Sequence, residues 1–205
     1  MRISYFRKSS LPFAKTLENV KTNFEKKGFT ILGETEIEKD GKMVLVCKKD
    51  WVKTLINENY ELLGFLPCAI SVFKKNGSLM VGTGTPGVLK SISQSPSIVM
   101  LASQADKEIK QIINESAGVE ELKPKKVKLY STMSCPYCKM EKSWLEQEKV
   151  EHEVVYVDLN SYEAQKMVDK TGQMGVPVTE IEYTEGEPEY IIGFDKPRLS
   201  EILGI

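Results

Sequence analysis

The stretch Cys135-Pro136-Tyr137-Cys138 constrains this chain more than any other feature of its sequence. An apolar, strand-like run at 127–130 leads into it, a helix-like segment at 139–149 follows, and a second strand pattern covers 153–158. A strand that delivers two cysteines to the first turn of a helix, in a β-α-β setting, is the arrangement that thiol–disulfide exchange needs. Structural zinc is the competing use of a Cys-x-x-Cys. Zinc takes four ligands, however, and here no second Cys/His pair has matching spacing. The other two cysteines, Cys47 and Cys68, lie far upstream, and the single histidine is His152, in the charged stretch Glu151-His152-Glu153. Redox chemistry is therefore the strong reading, with no bound metal expected.

Attack on a disulfide requires a thiolate, and an ordinary cysteine is mostly protonated at neutral pH. At a helix N-terminus the unpaired backbone N–H groups and the macrodipole favour negative charge. Lowering a thiol pKa from ~8.5 to ~5 raises its thiolate fraction at pH 7 from about 3% to about 99%. Cys135 is accordingly the expected nucleophile. Cys138, one turn further and more buried, is the expected resolving thiol.

The 205 residues are long enough for one large domain or two small ones. A break falls near 118–126. Before it, Ser95-Pro96 gives a capping serine and a proline at the first helical position. Apolar residues Ile98, Leu101, Ala102, Ala105, Ile109, Ile112 and Ile113 then recur at helical spacing until Gly118. Residues 119–125 are polar and aperiodic, a short linker, and strand alternation resumes at 126. The expected domains are thus 1–118 and 126–205.

The second domain reads β-α-β-α-β-β-α, with strands at 126–131, 153–158, 178–183 and 188–192 and helices near 137–149, 161–171 and 196–203. Three motifs stand in order: the segment from Tyr130 through Cys138, then Gly172-Gln173-Met174-Gly175-Val176-Pro177-Val178, then Gly193-Phe194-Asp195-Lys196. On these motifs the region resembles bacterial glutaredoxin-like proteins of the thioredoxin superfamily. The resemblance implies a thioredoxin-like fold with a mixed four-stranded sheet. It also implies a cis peptide before Pro177 facing the cysteine pair, with Val176 offering its backbone to an extended substrate. Tyr137 and Asp195 join the substrate-binding set on the same basis. The family pattern departs at Thr132, where glutaredoxins commonly carry Lys or Arg, and at Gly193-Phe194, where they tend to carry Gly-Gly. The Gly-Phe pair is closer to glutaredoxin-like donors that depend on thioredoxin reductase. Either glutathione or a thioredoxin reductase is therefore the expected electron source, with no cofactor bound. Asp195 has an equally good physical use as a cap for the last helix.

The first domain alternates strands and helices: strands at 3–6, 29–37, 43–47, 67–73 and 79–81, and helices at 12–27, 50–58 and the long one already described. An Asn76-Gly77 turn joins the last two strands. Gly82-Thr83-Gly84-Thr85-Pro86-Gly87 lacks the Gly-Lys-Ser/Thr ending of a phosphate loop and reads as a strand-ending turn. On the strand Val44-Leu45-Val46-Cys47, the segment Gly64-Phe65-Leu66-Pro67-Cys68 and the long terminal helix, this half resembles the domain-of-unknown-function family 302. The whole is then a two-domain α/β (α+β) protein. Cys68 and Cys47 form a possible second redox site, although free cysteine in an apolar strand is more often simply buried.

A net charge of -1 gives no electrostatic case for nucleic acid or an anionic membrane. No apolar stretch is long enough for a spanning helix, the N-terminus lacks a signal-peptide pattern, and four cysteines do not make a disulfide-stapled secreted scaffold. The expectation is a cytoplasmic oxidoreductase acting on protein disulfides or glutathione mixed disulfides. The competing reading is a redox sensor or sulfur-relay protein whose dithiol controls or serves the first domain; metal carriage through the Cys-x-x-Cys is weaker.

Overall fold

The computed structural model describes residues 3–38 and 40–205. The chain divides between Glu121 and Leu122 into two compact units, each with its own sheet.

In the N-terminal unit, β1 (Ser4–Lys8) leads to α1 (Phe13–Lys26), β2 (Thr30–Glu38), β3 (Gly41–Cys47) and α2 (Lys49–Glu58). A 3-10 turn (Tyr60–Phe65), β4 (Cys68–Lys75) and β5 (Ser78–Gly84) follow. A second 3-10 turn (Pro86–Val88), α3 (Leu89–Ile92) and α4 (Pro96–Ala117) complete the unit. The five strands form an antiparallel sheet in the order β1-β5-β4-β3-β2. Alternation sets the core: Val44 pairs with Ile70 and Val72 with Val81, and all four are fully buried. Val20 and Phe24 of α1, Leu55 of α2, and Ile98, Ile109, Ile112 and Ile113 of α4 are buried in the same unit. Each side chain so buried stabilises the unit by roughly 1.5–3 kcal/mol before conformational entropy is counted. Asn76 and Gly77 both have positive φ, as the tight β4–β5 hairpin requires.

Three details correct the sequence reading. Ser95 stands at the N-cap of α4, but its side chain makes no cap bond; its hydroxyl donates to Glu58 at 2.5 Å. The 82–87 segment is not all turn, because β5 runs through Gly84 before the chain bends. The 3-10 segments and α3 are too short for any periodic pattern to announce them.

In the C-terminal unit β6 (Pro124–Ser131) is followed by α5 (Pro136–Gln147), β7 (Glu153–Tyr156), α6 (Ser161–Thr171), β8 (Val178–Tyr183), β9 (Glu189–Ile192) and α7 (Lys196–Leu203). The sheet is mixed, in the order β7-β6-β8-β9, with β6 parallel to β7 and antiparallel to β8. Strand β6 begins two residues inside the expected linker, and β7 stops at Tyr156, short of the expected 158. Consecutive residues of β6 serve opposite faces. Leu129 packs with Trp144, Leu145 and Leu199, from α5 and α7, while Tyr130 packs with Met167 of α6. Both sheet faces are thus covered, as in a thioredoxin-like fold. No helix among the described residues is long and apolar enough to cross a membrane.

Gly82 sits opposite Phe6 in the β1–β5 ladder, and a Cβ there would run into the Tyr5 carbonyl oxygen and the Phe6 backbone. Backbone cannot swing aside as a side-chain tip can. Gly82→Ala is therefore expected to destabilise the N-terminal unit by about 1–3 kcal/mol or more. Chemical denaturation followed at Trp51 would show the loss, and an unchanged midpoint would mean the strands part at no cost.

Candidate functional site

Strand β6 ends at Ser131, and a three-residue loop carries the chain to Cys135, the N-cap of α5. Pro136 takes the first helical position, where a missing N–H costs nothing. The loop is held from both sides: Cys135 N–H donates to the Thr132 carbonyl at 3.3 Å, and Met133 N–H donates to the Asp158 carboxylate at 3.0 Å. Cys135 and Cys138 form a disulfide with their Cα atoms 5.4 Å apart. Cys138 is 1% exposed, whereas Cys135 is half-buried, so one sulfur is reachable and its partner is not. The Cys138 N–H donates to the Cys135 sulfur at 3.1 Å. A helix N-terminus offers such donors to any sulfur that becomes negative.

The Val176–Pro177 peptide is cis, and the Val176 carbonyl oxygen lies 3.8 Å from the Cys135 sulfur. Gly193 N–H donates to the Pro177 carbonyl at 2.8 Å, which brings the Gly193-Phe194-Asp195 segment beside the proline. The three motifs separated in sequence therefore meet at one place. Tyr137, on the first turn of α5, is 63% exposed. Asp195 accepts from the Arg198 N–H at 3.1 Å and caps α7, the physical use noted from the sequence.

Cys47 and Cys68 are free and half-buried, at the ends of β3 and β4 where Val46 opposes Cys68. They belong to the N-terminal unit. Burial, with a smaller contribution from neighbouring Cys47, pushes the Cys68 thiol up to about 11. Cys68 is thus a protonated thiol at neutral pH and a poor nucleophile. His152 sits apart, its Nδ1 2.8 Å from the Val150 carbonyl oxygen. Among the described residues no group of three or more His, Cys, Asp or Glu is arranged to hold a metal ion.

One residue escaped the sequence reading. Glu141 lies one helical turn after Cys138 on the inward face of α5 and is completely buried. Its Oε1 accepts from the hydroxyl of Thr179, two residues after Pro177, and its Oε2 has no partner among the described residues. Burial raises its pKa to about 7, against which the Thr179 hydrogen bond works only in part. The signal was available: a glutamate at the spacing of Cys138, Glu141 and Leu145 occupies a position that an amphipathic helix turns toward the core.

A family model for the domain of unknown function DUF302 matches residues 5–116. The chain belongs to the DUF302 family. Its C-terminal unit is glutaredoxin-like, since a glutaredoxin model matches residues 127–183. An uncharacterized glutaredoxin-like 8.6 kDa protein in the rubredoxin operon of Clostridium pasteurianum is 31% identical over 77 residues, 38% of this chain and 96% of that protein. The crystal structure of an uncharacterized conserved DUF302 protein from Bacillus stearothermophilus shares the fold of the N-terminal unit at 20% identity. It covers 57% of this chain and 99% of its own, with a TM-score of 0.53. A glutaredoxin from Archaeoglobus fulgidus is 25% identical over 38% of this chain and 85% of its own, with a TM-score of 0.33. The glutaredoxin-like unit supports a thiol redox role for this DUF302 protein.

Glu141 gives the glutaredoxin-like unit a pH dependence of known sign. Its native pKa, about 7, is above the ordinary value of 4.5, so the native state holds the proton more tightly. The Glu141 contribution to stability is fully present below pH 4.5, is lost as pH rises toward 7 and is level above that, by at most on the order of 3 kcal/mol. Glu141→Gln keeps a hydrogen-bonding head without the charge. Urea unfolding across this range should show the slope in the native chain and its loss in the variant; equal slopes would show that Glu141 is ionised at no cost.

Proposed function

We propose that the DUF302 protein is a cytoplasmic glutaredoxin-like dithiol–disulfide oxidoreductase that reduces protein disulfides or glutathione mixed disulfides. The observation that carries this reading is the position of the Cys135 sulfur. It is half-exposed, receives the Cys138 N–H at 3.1 Å, and lies 3.8 Å from the carbonyl preceding cis-Pro177.

In the reduced form the Cys135 thiolate attacks one sulfur of a substrate disulfide. A Cys135–substrate disulfide forms, the substrate S–S bond breaks, and the leaving sulfur takes a proton. Cys138 then loses its proton and attacks the Cys135 sulfur, which restores the intramolecular disulfide and expels the second substrate thiol. Two electrons and two protons have passed to the substrate. Two glutathione molecules, or a thioredoxin reductase, return them and reopen Cys135–Cys138. Val176 offers its backbone to the extended chain around the substrate sulfur. Around this point Met133, Tyr137 and Met174 are all more than half exposed, which suits a protein substrate with apolar neighbours to its disulfide. Asp195 caps α7 through Oδ1, which leaves Oδ2 for a glutathione ammonium, and that favours neither reductant outright.

The sulfur-relay alternative needs a reactive Cys68. A thiol held at about 11 is the wrong starting point for it.

The direct experiment is turnover of a glutathione mixed disulfide and of a protein disulfide, coupled in parallel to glutathione with glutathione reductase and to NADPH with thioredoxin reductase. Cys135→Ser is expected to lower turnover at least about a hundredfold on every substrate. Cys138→Ser should still attack and should accumulate a Cys135 mixed disulfide visible by mass spectrometry. Native protein that turns over neither substrate with either reductant would overturn the oxidoreductase reading and leave the sensor in its place.

A further inference from the structure

We infer that the DUF302 unit holds a binding site for a compact, uncharged, largely apolar small molecule bearing a single hydrogen-bonding group.

The site is a cavity of about 230 Å³ where α2, α3 and α4 cover the ends of β4 and β5. Its walls are apolar, with Trp51, Leu55, Leu66, Leu89, Leu101 and Ala105 among them, and among the described residues no charged side chain lines it. Ile3 and Phe65, 70% and 47% exposed, also line it and connect it with solvent. A dry apolar cavity of about 150 Å³ is enough to take up benzene, so this one accommodates a somewhat larger ring system or a short aliphatic chain.

Beside the Trp51 indole, Thr83, Thr85 and Cys68 put two hydroxyls and a thiol on the cavity wall, and these three differ in what they have left to offer. The Thr85 hydroxyl is committed: it donates to buried Asp106 and accepts from the Gly87 N–H at 3.2 Å. The Asp106 charge is met in turn by Lys110 at 2.5 Å. Cys68 is a neutral thiol, a weak donor that adds no charge. Thr83 is the exception. It is 4% exposed, it shares the core-facing register of Ile70, and its hydroxyl makes no hydrogen bond among the described residues. The hydroxyl is not sealed in like the Glu141 Oε2 atom but opens on the cavity, so a ligand's polar group can meet it there.

The same features exclude other ligands. A carboxylate, phosphate or ammonium placed here would lose its hydration with no opposite charge among the described lining residues to meet it. Glutathione and nucleotides are therefore not occupants. The inference is independent of the redox reading, because it uses no residue of the glutaredoxin-like unit.

The test uses the full chain and three probes of one size: 1-naphthol, naphthalene and naphthalene-1-sulfonate. The readout is the rate at which N-ethylmaleimide modifies Cys68, resolved by peptide mass spectrometry, with calorimetry for affinity. Saturating 1-naphthol is expected to slow Cys68 modification at least tenfold, while the sulfonate leaves it unchanged. Thr83→Val should weaken naphthol about fivefold, the effect of one neutral hydrogen bond, leave naphthalene as it was, and be reversed in Thr83→Ser. Failure of naphthol to protect Cys68 up to its solubility limit would overturn the site. So would equal protection by the sulfonate. Both of these comparisons use the native chain and do not depend on a variant folding.

Discussion

At the start of α5 the first backbone N–H groups have no carbonyl inside the helix, and the sulfur of Cys135 takes one of them, from Cys138. The rest of the candidate redox site is arranged around that bond. Pro136 occupies the position where losing an N–H costs nothing, so the helix starts immediately after the sulfur rather than a residue later. The loop before it is fixed by Asp158 and Thr132, which prevents the sulfur from turning away from the donors. The cis peptide before Pro177 and the bond from Gly193 to its carbonyl bring the far end of the sheet to the same place. A helix start with no sulfur in reach would satisfy its N–H groups with water. A sulfur without the helix would remain mostly protonated at neutral pH.

The interior behind this site presents the opposite environment. Cys138 and Glu141 share a buried face one turn apart, and there the low dielectric favours neutral groups over charged ones. The two cysteines of the pair thus sit across a boundary: donors and partial exposure favour anion on Cys135, while burial favours the protonated thiol on Cys138. The asymmetry is what the proposed mechanism uses, with attack by Cys135 and resolution by Cys138. Glu141, on the same face as the buried thiol, shows the same effect, since burial raises its pKa to about 7.

What was legible in the sequence follows from how local each signal is. The spans of α6, β8 and α7 were readable to the residue because each is bounded by local chemistry. Asn160 caps α6 and Gly172 ends it, cis-Pro177 delays β8, and Asp195 caps α7. Ser95 looked like the same kind of cap and is not one, because Glu58, 37 residues away, takes its hydroxyl. The β1–β5 neighbourhood joins strands at opposite ends of the N-terminal unit, and no local pattern encodes a pairing of that range. Glu141 was passed over for a related reason. Its charge marked it as surface, while its spacing from Cys138 and Leu145 marked it as core, and packing decided for the spacing.

The two units make their polar demands in different ways, and this separates the chemistry each can serve. Around Cys135 the protein supplies a fixed backbone donor and acceptor, the chemistry suited to a developing sulfur anion and an extended backbone. In the DUF302 cavity it supplies apolar walls and one spare hydroxyl, so it recognises a molecule with almost no charge to desolvate. Glutathione carries two carboxylates and an ammonium, and it can meet the first environment at its sulfur while the second would repel it. A charged thiol reductant and an uncharged ligand of the cavity are therefore chemically distinct partners. Under the two proposals each partner has its own site, because the feature that admits one excludes the other.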